Sequence, residues 1–263
     1  MSISSSCWQS GKQAGTVSLG THCVYLAANG PQRLIIRGRL QPAVIIETRL
    51  CSGLSEWVAI SRLIAQRARI YSYDRAEDGR SEPSPNKQYT AKNRNLELAT
   101  MLTPLPPDTF SLLGNLSYYE IVGLDQNHVV SEEEYEMIKT EEKRNILKAH
   151  IEESFMEEST IAVNDALPEG YSIIGNKPLS VIFANESVDF TKIHHHAVEN
   201  SIGTGDARQR LAVRLKDMMQ ADEGLSMQSR FIYVEGKAQT HNLQYVTPKV
   251  IRAEVFWVLG LEG

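Results

Sequence analysis

Apolar residues along this chain gather in short blocks, separated by polar turns rich in glycine and proline. His22 to Ala27 (HCVYLA) and Leu34 to Gly38 (LIIRG) are rich in β-forming residues and flank the turn signal Asn29-Gly30-Pro31, so two opening strands are predicted. Ala43 to Glu47 (AVIIE) is a continuous β-branched run, the pattern of a strand covered on both faces. Ser55 and Glu56 precede Trp57, Ile60, Leu63 and Ile64, whose steps of three and four mark one helix face. Arg69 to Tyr73 (RIYSY) reads as the next buried strand. Strand, helix, strand at this spacing predicts an α/β protein with a mostly parallel sheet flanked by helices.

The pattern then shifts. A polar loop runs from Ala76 to Gln88, Leu96, Leu98 and Met101 suit a short helix ended by Pro104, and Phe110 to Leu113 is a strand candidate. Ser131 to Ser159 is dense in glutamate, with Leu147, Ile151 and Phe155 stepping by four, which predicts a long charged helix acting as a cap. The core pattern resumes with a strand at Pro178 to Phe183, a helix at Ala207 to Met219, a strand at Arg230 to Val234 and a helix at Val250 to Leu259 started by Thr247-Pro248. One core is therefore expected in two parts, residues 1–130 and 176–263, with a helical cap at residues 131–175 inserted between them.

With 263 residues, 42% hydrophobic, the chain can bury one sizeable core. Its net charge of −5 supplies no general basic footprint, so no nucleic-acid partner is expected. The polar opening MSISSSCWQSGKQAG lacks the apolar segment of a secretory signal, and no run is long enough to suggest a membrane span, so a cytoplasmic protein with no membrane partner is expected. Cys7, Cys23 and Cys51 are odd in number and widely spaced, which fits reduced thiols. No metal site is expected: the consecutive His194, His195 and His196 cannot all face one ion from a helix, and no other spacing supports them.

Four stretches resemble the α/β-hydrolase fold in its esterase-like branch. Glu47 to Trp57 (ETRLCSGLSEW) is similar to the loop after the third strand, and Tyr73 to Pro85 (YDRAEDGRSEPSP) to a turn that usually reads YDRxGxGxSxP. Phe110 to Gly114 (FSLLG) resembles the fifth strand entering the nucleophile elbow, and Ala238 to Pro248 (AQTHNLQYVTP) the loop of the catalytic histidine. The resemblance implies a hydroxyl nucleophile activated by an imidazole, a carboxylate orienting that imidazole, and backbone N–H donors for the oxyanion. It places the base at His241 and the oxyanion loop at Arg49 and Leu50. The acid is Asp125, after a sixth strand at Ile121 to Leu124, or Glu186 or Asp189, after the seventh. No cofactor is implied, and the partner is a small-molecule substrate or ligand.

The likeness breaks at the elbow. Family members read Gly-x-Ser-x-Gly; here Gly114 is followed by Asn115 and by Leu116 where serine should stand, which leaves Ser117 one position late as the nearby nucleophile candidate. Only six residues separate Gly114 from Ile121, whereas parallel neighbours need a crossover of about a dozen or more. One central crossover helix is therefore expected to be missing, a loss of roughly 20 residues judged from the usual strand-helix-strand unit. The gap fits a natural degenerate homologue or a mis-spliced reading frame alike. Arg49, Cys51 and Glu77 replace family glycines where positive φ or a close backbone approach is wanted, and Cys51 is a remote substitute nucleophile. Asp74 and Arg75 are expected to fix their turn as a local ion pair. Two functions stay open: a hydrolase of ester, lactone or thioester bonds in small-molecule metabolism, or a non-hydrolytic binding protein or cyclisation helper that has lost the serine. A third outcome is a chain that folds poorly because a crossover helix no longer covers its sheet.

Overall fold

A computed structural model describes residues 8–36, 38–48, 52–85, 109–153, 177–184, 187–217 and 229–261, with the single residues 155 and 161. The chain forms two compact units, one comprising Met1–Met101, Val130–Pro168 and Pro248–Gly263, the other Leu102–Val129 and Glu169–Thr247.

In the first unit, β1 (Gln13–Ser18) and β2 (Cys23–Asn29) form an antiparallel hairpin. Strand β3 (Ile35–Ile36) pairs with β4 (Arg39–Leu40) as a separate antiparallel ribbon. Strand β5 (Val44–Ile46) lies parallel to β6 (Ile70–Tyr73), which pairs antiparallel with β2, giving the order β1-β2-β6-β5. The parallel step is the predicted strand, helix, strand unit: between its strands come a 3-10 turn at Leu54–Trp57 and α1 (Val58–Ile64). Ile46, Ile60, Ile64, Ala68, Ile70 and Phe256 make one buried cluster, where α1 and the closing helix of the chain (Pro248–Val258) cover the sheet. Burying each isoleucine is worth about 2 kcal/mol relative to leaving it in water. Ile45 departs from the expectation of a strand covered on both faces: it is 70% exposed while Ile46 is buried, because successive strand side chains point to opposite sides and the covering helices lie on one.

The glutamate-rich stretch forms one long helix, Glu132–Glu153, within this unit. Ser131 and Glu134 start it as a reciprocal capping pair: each accepts the other's backbone N–H, at 3.3 and 3.0 Å. Its buried row is Tyr135, Ile138, Glu141 and Asn145, nearer the N-terminus than the predicted stripe, whose Ile151 is exposed and whose Leu147 side chain lies outside the described residues. The helix packs on the 3-10 turn at Leu54–Trp57.

In the second unit, β7 (Leu179–Phe183) and β8 (Ser229–Tyr233) pair in parallel, with two helices, Ser187–Glu199 and Gly205–Asp217, in the connection between them. The predicted fifth strand, Phe110 to Leu113, is instead a 3-10 turn, Thr109–Leu112. The predicted sixth strand, Ile121 to Leu124, falls on two short helices, Tyr118–Val122 and Leu124–Asn127. Local chemistry decides both: Gly114 (φ 64°) and Gly123 (φ 81°) adopt left-handed backbone that stops an extended run, and Ser117-x-x-Glu120 starts a helix. Leu112, wholly buried, packs against Gly203 so closely that a Cβ there would stand 2.6 Å from its Cδ2. The predicted helix around Leu96 to Met101 lies outside the described residues. Numbering in chain order, the helices among the described residues are α1, α2 (Tyr118–Val122), α3 (Leu124–Asn127), α4 (Glu132–Glu153), α5 (Ser187–Glu199), α6 (Gly205–Asp217), α7 (Leu243–Val246) and α8 (Pro248–Val258). No helix among the described residues is long and apolar enough to cross a membrane.

Candidate active site

After β8 the chain turns through a 3-10 segment, Gly236–Ala238, and reaches Thr240, His241 and Asn242 just before α7. His241 is half-buried, and its place is set through its backbone. The fully buried Asp189, in the first turn of α5, accepts the His241 backbone N–H at 3.1 Å and the Thr240 hydroxyl at 2.7 Å on one carboxylate oxygen. Its other oxygen accepts from Lys192 Nζ at 3.2 Å, and Lys192 also donates to the Val122 carbonyl that ends α2, at 2.8 Å. One carboxylate thus fixes the histidine loop, and its lysine ties it to α2. Charge-assisted hydrogen bonds of this kind are about twice as strong as neutral ones, and a buried carboxylate requires them.

Ser117 stands at the start of α2. Its Oγ accepts the Glu120 N–H at 3.2 Å while the Glu120 carboxylate accepts the Ser117 N–H at 2.7 Å. Its backbone, φ −79° and ψ 159°, is relaxed extended chain. A nucleophile elbow needs a sharp, strained strand-to-helix turn; here the preceding segment is a 3-10 turn and the serine is an exposed helix cap. The next residue, Tyr118, accepts at its Oη from Asn242 Nδ2 at 3.0 Å, and Tyr245 Oη donates to Asn242 Oδ1 at 2.8 Å. Residues adjoining Ser117 and His241 are therefore bonded to each other.

Of the other carboxylate candidates, Asp125 forms no part of this constellation. Asp125 is exposed on α3 and comes after a helix rather than a strand, so its position after a sixth strand does not hold. Glu186 lies outside the described residues, as do Arg49, Leu50 and Cys51 of the expected oxyanion loop. Asp189, three residues after Glu186 in ANESVD, reaches the histidine loop.

In the first unit, the 3-10 turn at Leu54–Trp57 is held by a buried acid. Asp74 is fully buried and accepts the Leu54 N–H at 2.9 Å on one oxygen and the Arg80 N–H at 3.0 Å on the other. The expected ion pair of Asp74 with Arg75 is thus corrected: Arg75 pairs with Asp78 at 3.3 Å, and Asp74 serves backbone amides. Gly79 (φ 50°) closes over it, since a Cβ there would lie 2.2 Å from Asp74 Oδ2. Glu77, where the family has glycine, sits at φ 70°. Burial pushes the Asp74 carboxyl above the usual range against the pull of its two amide bonds. Burial also pushes Glu141 up, opposed by the Ser55 hydroxyl that donates to it and reinforced by the charge of Asp74. A Cβ on Gly53 would approach both acids, at 2.6 Å from Glu141 Oε2 and 3.2 Å from Asp74 Oδ1. Among the described residues, no group of three or more His, Cys, Asp or Glu could hold a metal ion.

Thr240, Lys192, Tyr118 and Tyr245 carry no signal in the sequence that would mark them for this site. Ser117-x-x-Glu120 is an S-x-x-E pattern, which announces a helix start rather than an elbow.

The fold these observations describe is that of the α/β-hydrolases. It resembles the Cif epoxide hydrolase from Acinetobacter nosocomialis, with a TM-score of 0.51 and 13% identity over 95% of this chain and 89% of that one. It resembles the haloalkane dehalogenase DbeA from Bradyrhizobium elkani to a similar degree, with a TM-score of 0.50 and 12% identity over 95% of this chain and 98% of that one. No protein-family model matches the sequence, and no curated protein does.

Proposed function

We propose that this chain is a small-molecule-binding protein on the α/β-hydrolase fold, in which His241 serves a ligand as acid, base or hydrogen-bond partner without acyl transfer. The observation behind this reading is the capping pair of Ser117 and Glu120: the candidate nucleophile stands on relaxed backbone and starts a helix. General acid or base work needs only a placed imidazole, and the grip of Asp189 on the loop supplies placement.

A second reading is favoured by the bond from Asn242 to Tyr118, which ties the α2 start to the histidine loop. In it the protein hydrolyses an ester, lactone or thioester, with Ser117 as nucleophile, His241 as base and Asp189 as the acid that positions the loop. Hydrolysis of p-nitrophenyl acetate by wild type, Ser117→Ala and His241→Ala separates the two. The binding reading expects background rates in all three, together with a ligand-induced rise in melting temperature from a small-molecule screen. Turnover abolished by both substitutions establishes the hydrolase.

A further inference from the structure

We propose that the first unit carries a binding site for a small organic acid, a carboxylate joined to a short apolar body, in the cavity between the β3–β4 ribbon and the end of α8. The cavity has a volume of about 310 Å³ and is lined by Arg33, Arg39, Arg67 and Arg69, with no aspartate or glutamate among its described lining residues. This is a local inversion of sign, because acidic residues outnumber basic ones along the chain, 32 to 27. Guanidinium groups are the side chains that match a carboxylate with paired N–H donors.

Two of the four have unmet donors among the described residues. Arg33 Nε is buried and has no hydrogen-bond partner there. Arg69 is 1% exposed, and its terminal nitrogens donate to the carbonyls of Trp8 at 2.6 Å and of Gly11 and Gly30 at 2.6 and 2.8 Å, while its Nε also lacks a partner. Carbonyl dipoles and the Tyr71 ring, whose centroid is 5.3 Å from Arg69 Cζ, orient Arg69 but carry no full negative charge, and a buried charge without a counter-ion is costly. Both Nε atoms are sealed from solvent, so an anion in the cavity would act on Arg69 through its charge and would bond to the outer nitrogens of Arg33 and Arg39. The remaining wall is largely apolar, with Leu40 on the ribbon and Leu261 past the closing helix. A bare inorganic anion leaves that wall wet; an anion with a hydrocarbon body covers it. Neither His241 nor Ser117 takes part, so this site stands or falls apart from the hydrolase question.

Isothermal titration calorimetry with hydrocinnamate at low salt tests it, with hydrocinnamide as the uncharged analogue and inorganic phosphate as the anion without an apolar body. Arg33 and Arg39 are replaced together by Gln, and Arg69 is left intact because it anchors three backbone carbonyls. The expected result is one binding event in wild type, weakened at least about tenfold in the Arg33→Gln/Arg39→Gln protein, with both control compounds weaker by a similar factor. Circular dichroism shows that the variant is folded, and an Arg33→Lys/Arg39→Lys protein is expected to recover part of the affinity. Equal affinity for acid and amide, equal affinity for phosphate, undiminished binding in the folded Gln variant, or no binding of hydrocinnamate to wild type would each overturn the proposal.

Discussion

Asp189 accepts the backbone N–H of His241 at 3.1 Å from within α5, 52 positions earlier in the chain. The contact explains how a histidine on a loop can hold a fixed place. Asp189→Ala removes a buried acceptor from the Thr240 hydroxyl and the His241 amide at once. The expected loss is about 3 kcal/mol, since stranded buried donors cost about 1–3 kcal/mol each. Urea denaturation measures it, and a loss below about 1 kcal/mol would remove Asp189 from this role.

Ser117 and Glu120 form a reciprocal cap, so Ser117→Ala is expected to cost about 1 kcal/mol. Ser117→Asp is expected to restore most of it, because aspartate caps equally well and favours the positive end of the helix. Thermal melting of the three proteins checks the order. Absence of rescue by aspartate would remove the capping role.

The turn from Tyr73 to Pro85 carries one glycine too few. Glu77 at φ 70° is strained, and Glu77→Gly is expected to stabilise the protein by about 1 kcal/mol. Gly79→Ala is expected to do the reverse by a larger amount, since its Cβ would collide with Asp74 and displace it from the Leu54 and Arg80 amides. Denaturation midpoints of both variants give the comparison.

Asp74 and Glu141 both have carboxyls raised by burial. A carboxyl whose folded value lies above its unfolded one binds protons more tightly when folded, so its stabilising contribution is full below the ordinary range near 4 and lost as pH rises through the folded value. Glu134 opposes this: burial raises it, but bonds from Arg62 and Ser131 hold it below the usual range, so its contribution is lost as pH falls. Glu141→Gln keeps an acceptor for Ser55 and removes the charge. The variant is expected to gain stability relative to wild type at pH 7 and to lose that advantage toward pH 4. Denaturation across that range measures the difference.

Much of the fold was legible because apolar periodicity is a local property. Val44–Ile46, Ile70–Tyr73, Leu179–Phe183 and Ser229–Tyr233 form strands near their predicted bounds, and α8 begins at the predicted Pro248. Phe110 to Leu113 reads as a strand because a short apolar run suits a strand or a helix equally, and Ile121 to Leu124 does so only through the family resemblance. The cap at Ser117 and the left-handed glycines at 114 and 123 decide the matter. His241 was readable from its loop, whereas the hold of Asp189 on it depends on a contact between residues far apart in sequence, which no spacing rule reveals.

The central claim is that Ser117 is a helix cap and not an attacking hydroxyl. Intact-mass analysis after treatment with a fluorophosphonate tests it most directly. The account predicts an unmodified, folded protein; a stoichiometric adduct mapped to Ser117 and lost in His241→Ala would contradict it.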